Sequence, residues 1–204
     1  MTRHHTITRV GETRDRLGEG PLWDVAEQAL YWLDSRGPTI HRLDPATGKR
    51  QDWQVPDTIG SMALRESGGA VIATESGFHF FDFASGKTEL IHDPEPDRPG
   101  NRLNDGKVDK QGRFLAGSMA TQISGKAEGV LYRLNHDLLV EQMMDDIIVT
   151  NGPSFSPDGK TFYFSDSRKH RITAYDYSDA GLANERVLLD TKAVHDAWPD
   201  GGTV

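Results

Sequence analysis

Residues 101–119 read NRLNDGKVDKQGRFLAGSM, and the rest of the chain repeats the pattern of this stretch. A polar corner, with Asn104 and Asp105 in front of Gly106, is followed by a turn and then by the run 113–117. A short apolar run bounded by turn residues predicts a strand that is buried on both faces. The stretch therefore predicts a polar corner that leads into a buried strand.

Copies of this pattern occur along the whole chain. Residues 152–166, GPSFSPDGKTFYFSD, keep the register of residues 20–34, GPLWDVAEQALYWLD. A looser copy covers residues 60–74, and another begins at Gly201. The glycines that head the copies are Gly20, Gly60, Gly106, Gly152 and Gly201, at intervals of 40, 46, 46 and 49 residues. A period of about 40 to 50 residues is typical of propeller blades.

The repeats predict an all-β chain, since no window of 11 residues combines a helical apolar stripe with caps at both ends. Four repeats are complete and a fifth begins; the complete ones cover about residues 17–56, 57–100, 101–148 and 149–199. We predict a single β-propeller domain over residues 1–204, with about four blades and the start of a fifth. Residues 6–10 alternate as a strand does and could supply an outer strand elsewhere in the ring.

Composition excludes several classes of partner. The chain has 36% apolar and 26% charged residues, a net charge of −8 and no cysteine. No apolar run approaches the roughly 18 to 20 residues that span a bilayer, and the N-terminus lacks an apolar signal region, so we expect a cytoplasmic protein without a membrane partner. The negative charge disfavours nucleic acid as a partner. Without thiolates, any metal must be held by oxygen or histidine.

The position before each repeat glycine is a candidate ligand position. Equivalent positions on the innermost strands of a propeller face one another across its axis. Four of the five carry a side-chain oxygen, namely Glu19, Asp105, Asn151 and Asp200, and Ile59 is the exception. Oxygen donors suit calcium, magnesium, manganese or oxygen-ligated zinc. The alternative is that Asn-Gly and Asp-Gly are turn dipeptides only, but the register shared by four repeats favours the metal.

Three motifs resemble the signatures of the gluconolactonase, regucalcin and senescence-marker-protein family of sugar lactone lactonases. They are EGPLWD at 19–24, NRLNDGK at 101–107 and NGPSFSPDG at 151–159. The resemblance implies a six-bladed propeller with one divalent cation on its axis, calcium or zinc before magnesium or manganese. It also implies the hydrolysis of a small-molecule sugar lactone, such as gluconolactone, to the aldonic acid.

The resemblance also implies roles for single residues. The metal ligands carry over to Glu19, Asn151 and Asp200. Asp200 would act as the general base as well, because a carboxylate beside an activated water can take its proton. Arg102 and Asn104 would be the substrate-binding pair, which donates hydrogen bonds to lactone oxygens and hydroxyls.

Asp105 has an expected role as well, and Arg102 has an alternative one. Asp105 occupies the ring position in repeat three, and we expect it to reach the metal through a water. Arg102 could instead form a surface salt bridge, as exposed arginines commonly do. Its place two residues before Asn104 in the matching motif favours substrate binding.

The sequence departs from the family pattern in two respects. Many relatives carry an acidic residue in the loop after residues 117–119, where this chain has Ala120, Thr121 and Gln122, so the preferred lactone stays open. Six repeats would need about 270 residues, so a chain of 204 residues is expected to be truncated at its C-terminus or open. Open strand edges then favour self-association between chains.

Two other functions remain open at this point. The chain could be a non-catalytic module that binds a divalent metal or a partner, above all if Asp200 is not anchored so near the C-terminus. It could also be a hydrolase of other esters or of organophosphates on the same fold.

Overall fold

The computed structural model describes residues 6–204, in which sixteen strands form four sheets. The first sheet contains β1 (Gly18–Asp24), β2 (Ala29–Asp34), β3 (Thr39–Leu43) and β4 (Arg50–Gln54). The second contains β5 (Ile59–Leu64), β6 (Ala70–Thr74), β7 (Gly77–Asp82) and β8 (Lys87–His92). The third contains β9 (Asn101–Val108), β10 (Phe114–Ala120), β11 (Gly129–Leu134) and β12 (Val140–Ile147). The fourth contains β13 (Thr150–Phe155), β14 (Thr161–Asp166), β15 (Arg171–Ser178) and β16 (Gly181–Asp190).

Each sheet is an antiparallel meander, because strands that follow one another in the chain are neighbours in the sheet. Helical structure in the described residues is limited to the 3₁₀ turn Ser167–Lys169 and the helix α1 (Thr191–His195). The all-β prediction is confirmed, and the arrangement is propeller-like. The six blades of the family stay a prediction for this chain.

The first strand of each sheet lies on the inside of the arrangement. Strand β1 contacts β5, β5 contacts β9, and β9 contacts β13. Gly60 on β5 permits the closest of these approaches, since a Cβ atom there would overlap the carbonyl oxygens of Leu103 and Asn104. A backbone approach of this kind requires glycine. The inner strands of repeats two and three are therefore packed backbone against backbone.

Three apolar clusters fill the spaces between successive sheets. The cluster between the first and second sheets includes Leu33, Ile40, Ile59, Ile72 and Phe81. The cluster between the second and third sheets includes Ala73, Phe78, Leu103, Phe114 and Tyr132. The cluster between the third and fourth sheets includes Leu115, Leu131, Ile147, Phe162 and Phe164. Each fully buried large side chain contributes about 1.5–3 kcal/mol, so these clusters hold neighbouring sheets together.

Residues 6–10 are not in a strand, so the strand expected from their alternation is wrong. The side chain of Ile7 is 96% exposed and that of Val10 is 59% exposed. Alternation predicts a strand only where a neighbouring edge can accept its backbone hydrogen bonds. Within residues 6–204, no helix is both long enough and apolar enough to cross a bilayer.

Candidate metal and substrate site

Glu19 and Asn151 each lie at a β-bulge in the first strand of a sheet. In β1 the pairing with β2 shifts between Glu19 and Leu22, and in β13 the pairing with β14 shifts between Asn151 and Ser154. The glycine after each ring residue has a φ of 56°, a left-handed conformation that disfavours residues with a Cβ. A β-bulge of this kind re-aims a side chain away from the regular alternation. The Asn-Gly and Glu-Gly pairs therefore form bulges in two inner strands, and are not hairpin turns.

Asn151 is held by hydrogen bonds on both sides of its amide. Its Nδ2 donates to Ser167 Oγ at 2.7 Å. Its Oδ1 accepts from Asn104 Nδ2 at 3.3 Å, and the same Asn104 nitrogen donates to Thr150 O at 2.8 Å. Both Nδ2 hydrogens of Asn104 are thus engaged, and its Oδ1 remains as an acceptor. The pair Asn104 and Asn151 lies together, but Asn104 offers an acceptor where the sequence analysis expected a donor.

Asp105 joins repeat three to repeat four. Its Oδ2 accepts from the N–H of Gly152 at 2.9 Å, and its Oδ1 accepts from the N–H of Gly106 at 2.8 Å. The pKa of Asp105 is raised by burial, and these two hydrogen bonds oppose the shift without cancelling it. Because both oxygens are engaged by backbone, Asp105 is poorly suited to be a direct ligand. A contact through water stays a proposal.

Glu19 lies in a surplus of negative charge. Its pKa is raised to about 7, first by burial and then by the charges of Asp200 and Asp105, while Arg102 opposes the shift. Glu19, Asp105 and Asp200 are therefore close enough to act on one another electrostatically. A cation among them would offset this repulsion.

Asp200 belongs to a short segment that is docked on repeat four. Asp200 is exposed, but Pro199 before it is buried and its carbonyl accepts from Ser167 Oγ at 2.6 Å. The carbonyl of Asp200 and the amide of Gly202 both pack beside Gly152. The guanidinium of Arg168 lies 3.8 Å from the ring centre of Trp198 and adds a second anchor. The segment thus brings Asp200 alongside the inner strand that carries Asn151.

Arg102 is half-buried on β9. Its guanidinium donates to Leu103 O at 3.2 Å and to Met119 Sδ at 3.5 Å. Within the described residues no carboxylate forms an ion pair with it, so the alternative of a surface salt bridge gains no support there. Burial lowers the pKa of Arg102, as does the charge of Arg36. A guanidinium has five N–H donors, so several remain for a ligand.

The donor set fits a hard divalent cation in its chemistry. Glu19 and Asp200 supply carboxylate oxygens, and Asn151 has its amide orientation set by its neighbours. Calcium accepts such oxygens and completes its shell with carbonyls and water. Among residues 6–204, however, no group of three or more His, Asp or Glu side chains lies close enough to hold one ion. The fit therefore depends on the Asn151 amide and on further oxygens in addition to the two carboxylates.

A concavity of about 140 Å³ opens beside Arg102 under the proline-rich loop before β9. Glu95, from this loop, also lines it, and the Glu95 carboxylate accepts from Asn101 Nδ2 at 2.9 Å, Ser118 Oγ at 2.8 Å and Tyr132 OH at 2.9 Å. The loop is thereby fixed against repeat three. A larger concavity of about 770 Å³ lies between this loop and β12, and neither Arg102 nor any proposed metal ligand lines it. The metal ligands Glu19 and Asp200 line two other concavities, of about 320 Å³ and 410 Å³.

Sequence reasoning missed two residues of this region, Ser167 and Glu95. Ser167 carries a signal, because it matches Ser35 in the register that aligns repeats one and four. Glu95 carries none, since an acid in a proline-rich loop is usually solvated.

The chain is similar to known proteins over most of its length. The chain is 36% identical over 191 residues to regucalcin of Xenopus laevis, with 91% of this chain and 64% of that protein covered. It is 37% identical over 173 residues to the 6-deoxy-6-sulfogluconolactonase of Pseudomonas putida, with 85% and 59% covered. The solved structure of a calcium-binding protein, regucalcin, from Agrobacterium tumefaciens superposes with a TM-score of 0.87 at 28% identity, covering 94% and 65%.

The chain therefore spans 59% to 65% of the length of these three proteins. All the motifs and all the candidate residues, from Glu19 to Asp200, lie between residues 17 and 204. The model of the SMP-30/Gluconolactonase/LRE-like region matches residues 17–204, and this chain belongs to that family.

Proposed function

We propose that this chain hydrolyses a sugar lactone of the gluconolactone kind to its aldonic acid with the help of one divalent cation. The observation that carries the proposal is that the charges of Asp200 and Arg102 both act on Glu19, while the Asn151 amide is held in one orientation. A relative at 37% identity is a sulfogluconolactonase, which supports lactone hydrolysis as the reaction class.

Glu19, Asn151 and Asp200 would hold the cation. Calcium suits this all-oxygen set best, and zinc, magnesium or manganese are the other candidates. A regucalcin of known structure is described as calcium-binding, which supports a divalent ion. When bound, the cation supplies positive charge that polarises the lactone carbonyl and lowers the pKa of a coordinated water.

The chain's own residues would position the lactone and move one proton. Asp200 is exposed, so it can accept the proton of the attacking water and later return it to the ring oxygen that leaves. The free N–H groups of Arg102 would donate to the lactone carbonyl or to its hydroxyls. Asn104 Oδ1 would accept a hydrogen bond from a sugar hydroxyl, because both of its N–H groups are engaged. The reaction adds one water, and the ring carbon–oxygen bond breaks.

A second candidate is a non-catalytic module that binds a divalent cation. It is favoured by the absence, within the described residues, of a closed group of three acidic or histidine side chains. Hydrolysis of simple esters or organophosphates on the same site is a third, enzymatic, alternative.

Acid release from glucono-1,5-lactone tests the proposal directly. The chain is treated with a chelator and then supplied with calcium, zinc, magnesium or manganese, and spontaneous hydrolysis is subtracted. We expect turnover to be lost on chelation and restored by one metal. Metal binding without turnover would instead support the non-catalytic module, and a faster rate on p-nitrophenyl acetate or an organophosphate would support the third alternative.

Two matched variants complete this experiment. D200N should lower the restored rate at least about 100-fold, because general-base catalysis typically contributes 10²- to 10⁴-fold. D196N makes the same change four residues earlier, at an exposed position in the same segment, and should keep the wild-type rate. Equal rates for D200N and D196N would remove Asp200 from the proposed mechanism.

A further inference from the structure

Repeats one and four each place a buried serine after the second strand. Ser35 follows Asp34 and Ser167 follows Asp166, and their side chains lie in the interior, with residue exposures of 1% and 7%. The backbone N–H of Ser35 donates to Leu17 O at 2.8 Å, and that of Ser167 donates to the equivalent carbonyl of Val149 at 3.2 Å. The two serines thus occupy the same place in the same backbone.

Their hydroxyl groups have different surroundings. Ser35 Oγ is buried and forms no hydrogen bond within the described residues. Ser167 Oγ accepts from Asn151 Nδ2 at 2.7 Å and donates to Pro199 O at 2.6 Å. The ring residue of repeat one is Glu19, whose carboxylate has no N–H to offer when ionised. Only in repeat four does the buried hydroxyl have a donor and an acceptor to link.

The single proton of Ser167 sets the direction of the whole chain of hydrogen bonds. The carbonyl of Pro199 has no hydrogen, so Ser167 must donate its only proton there. Towards Asn151 the serine can then only accept, and Asn151 must turn its Nδ2 to the serine. The Oδ1 of Asn151 consequently faces the other way, towards Asn104.

We infer that Ser167 is a positioning residue of the cation site. It keeps the oxygen of the Asn151 amide directed to the ring interior, and it fixes the peptide that precedes Asp200. This role rests on the proposed function. Without the hydroxyl, the Asn151 amide loses the acceptor of its N–H₂, and only the longer hydrogen bond from Asn104 Nδ2, at 3.3 Å, then opposes a flip of the amide. A flipped amide presents N–H to a cation, which opposes binding.

Loss of this hydroxyl should not release the segment around Asp200. Trp198 Nε1 donates to His170 Nε2 at 3.1 Å, and the guanidinium of Arg168 stacks on the Trp198 ring. Thr191 Oγ1 donates to Ala197 O at 2.6 Å. These anchors do not involve Ser167, so its removal should act on the orientation of Asn151 and of the Asp200 peptide.

Calorimetric titration of the metal-free full chain with calcium, and then with zinc, tests this inference. S167A should bind the metal that the wild type binds about 10- to 100-fold more weakly, the usual effect of removing a group that orients a ligand. S35A is the matched control, and its affinity should stay within about twofold because its hydroxyl has no partner to lose. S167T retains the hydroxyl and should restore most of the affinity, whereas the near-isosteric S167V should not.

The outcomes separate the two proposals. Wild-type affinity in a folded S167A or S167V overturns the positioning role alone. No binding of either metal by the wild-type chain overturns the cation site, and the positioning role with it. If S167A and S167V both fail to fold while S167T folds, the serine is structural and the inference is wrong.

Discussion

Repeats one and four have the same backbone but carry different chemistry at their inner ends. In both, the glycine after the ring residue has a φ of 56°. In both, an aspartate at the end of the second strand accepts hydrogen bonds from the backbone N–H groups 17 and 18 positions earlier. The ring residue is nevertheless a carboxylate in one repeat and an amide in the other.

The difference lies in what surrounds the ring residue. Asn151 is fixed by Ser167 and Asn104, and so presents a neutral oxygen in one orientation. Glu19 is partly buried and lies near two other carboxylates, and both effects raise its pKa to about 7. The residue type at the ring position and the groups around it, and not the bulge itself, therefore decide whether that position offers a held neutral oxygen or a charge in need of a cation.

The largest expected effect comes from removing the shared aspartate. D166A should lower the free energy of unfolding by about 4 kcal/mol, because four backbone N–H groups lose a charged acceptor and each such bond is worth about 1.5–3 kcal/mol before relaxation and rehydration. D34A should lose about 3 kcal/mol, since three N–H groups are affected. Urea unfolding of both variants measures this, and a loss under about 1 kcal/mol in both would show that the shared corner is not held by these acids.

The second effect concerns acid sensitivity. Burial raises the pKa of Asp34, but hydrogen bonds from the N–H groups of Arg16, Leu17 and Gly37 outweigh it and lower that pKa. A carboxyl with a lowered folded-state pKa contributes stability above its unfolded value and loses it as the pH falls through the folded value. D34N should therefore lose less stability than the wild type between pH 5 and pH 2. Parallel stability curves for the two proteins would contradict this.

The third effect separates the two ring residues by charge. In metal-free protein at pH 8, E19Q should raise the free energy of unfolding by about 1 kcal/mol, after allowance for solvent screening of a half-buried group, because it removes one of three mutually repelling carboxylates. N151D should lower it by a similar amount, since it adds a charge and loses the N–H that Ser167 accepts. E19Q should also bind calcium more weakly than the wild type does. Thermal unfolding with and without calcium gives both results, and stabilisation by N151D would reverse the comparison.

The smallest effect is at the outer strands. Strand β4 of repeat one has five residues, whereas β16 of repeat four has ten and exposes Val187, Leu188 and Leu189 by 51%, 54% and 37%. Long exposed edges with apolar side chains favour pairing with another chain. L188K should reduce weak self-association at high concentration, seen as a lower sedimentation coefficient, whereas the matched change Q51K on β4 should not. Identical sedimentation of all three proteins at every concentration would argue against association through β16.

Much of the fold could be predicted because its signals are local. The register that aligns residues 20–34 with 152–166 reappears as the same strand pairing, with Leu22 opposite Tyr31 and Ser154 opposite Tyr163. Glycine placement and short apolar runs determine such pairings within one hairpin. Residues 6–10 show the limit of local signals, since alternation without a partner edge gives no strand.

The details of the site could not be predicted, because they depend on contacts between repeats. The carboxylate of Asp105 accepts a hydrogen bond from the backbone N–H of Gly152, 47 residues later in the chain. Both side-chain N–H groups of Asn104 donate hydrogen bonds to residues of β13. The sequence spacing that identifies these residues as candidates contains no information about which of their atoms remain free.

The meander within each sheet also has a consequence for the order of folding. Every strand pairs only with strands that adjoin it in the chain, so a sheet can form as soon as its own residues have been synthesised. Each new sheet then finds an apolar face of the previous one already in place, as in other repeat architectures. The hydrogen-bond network around the Asn151 amide is therefore completed last at its Ser167 end, because Ser167 can donate to Pro199 only once Pro199 has emerged.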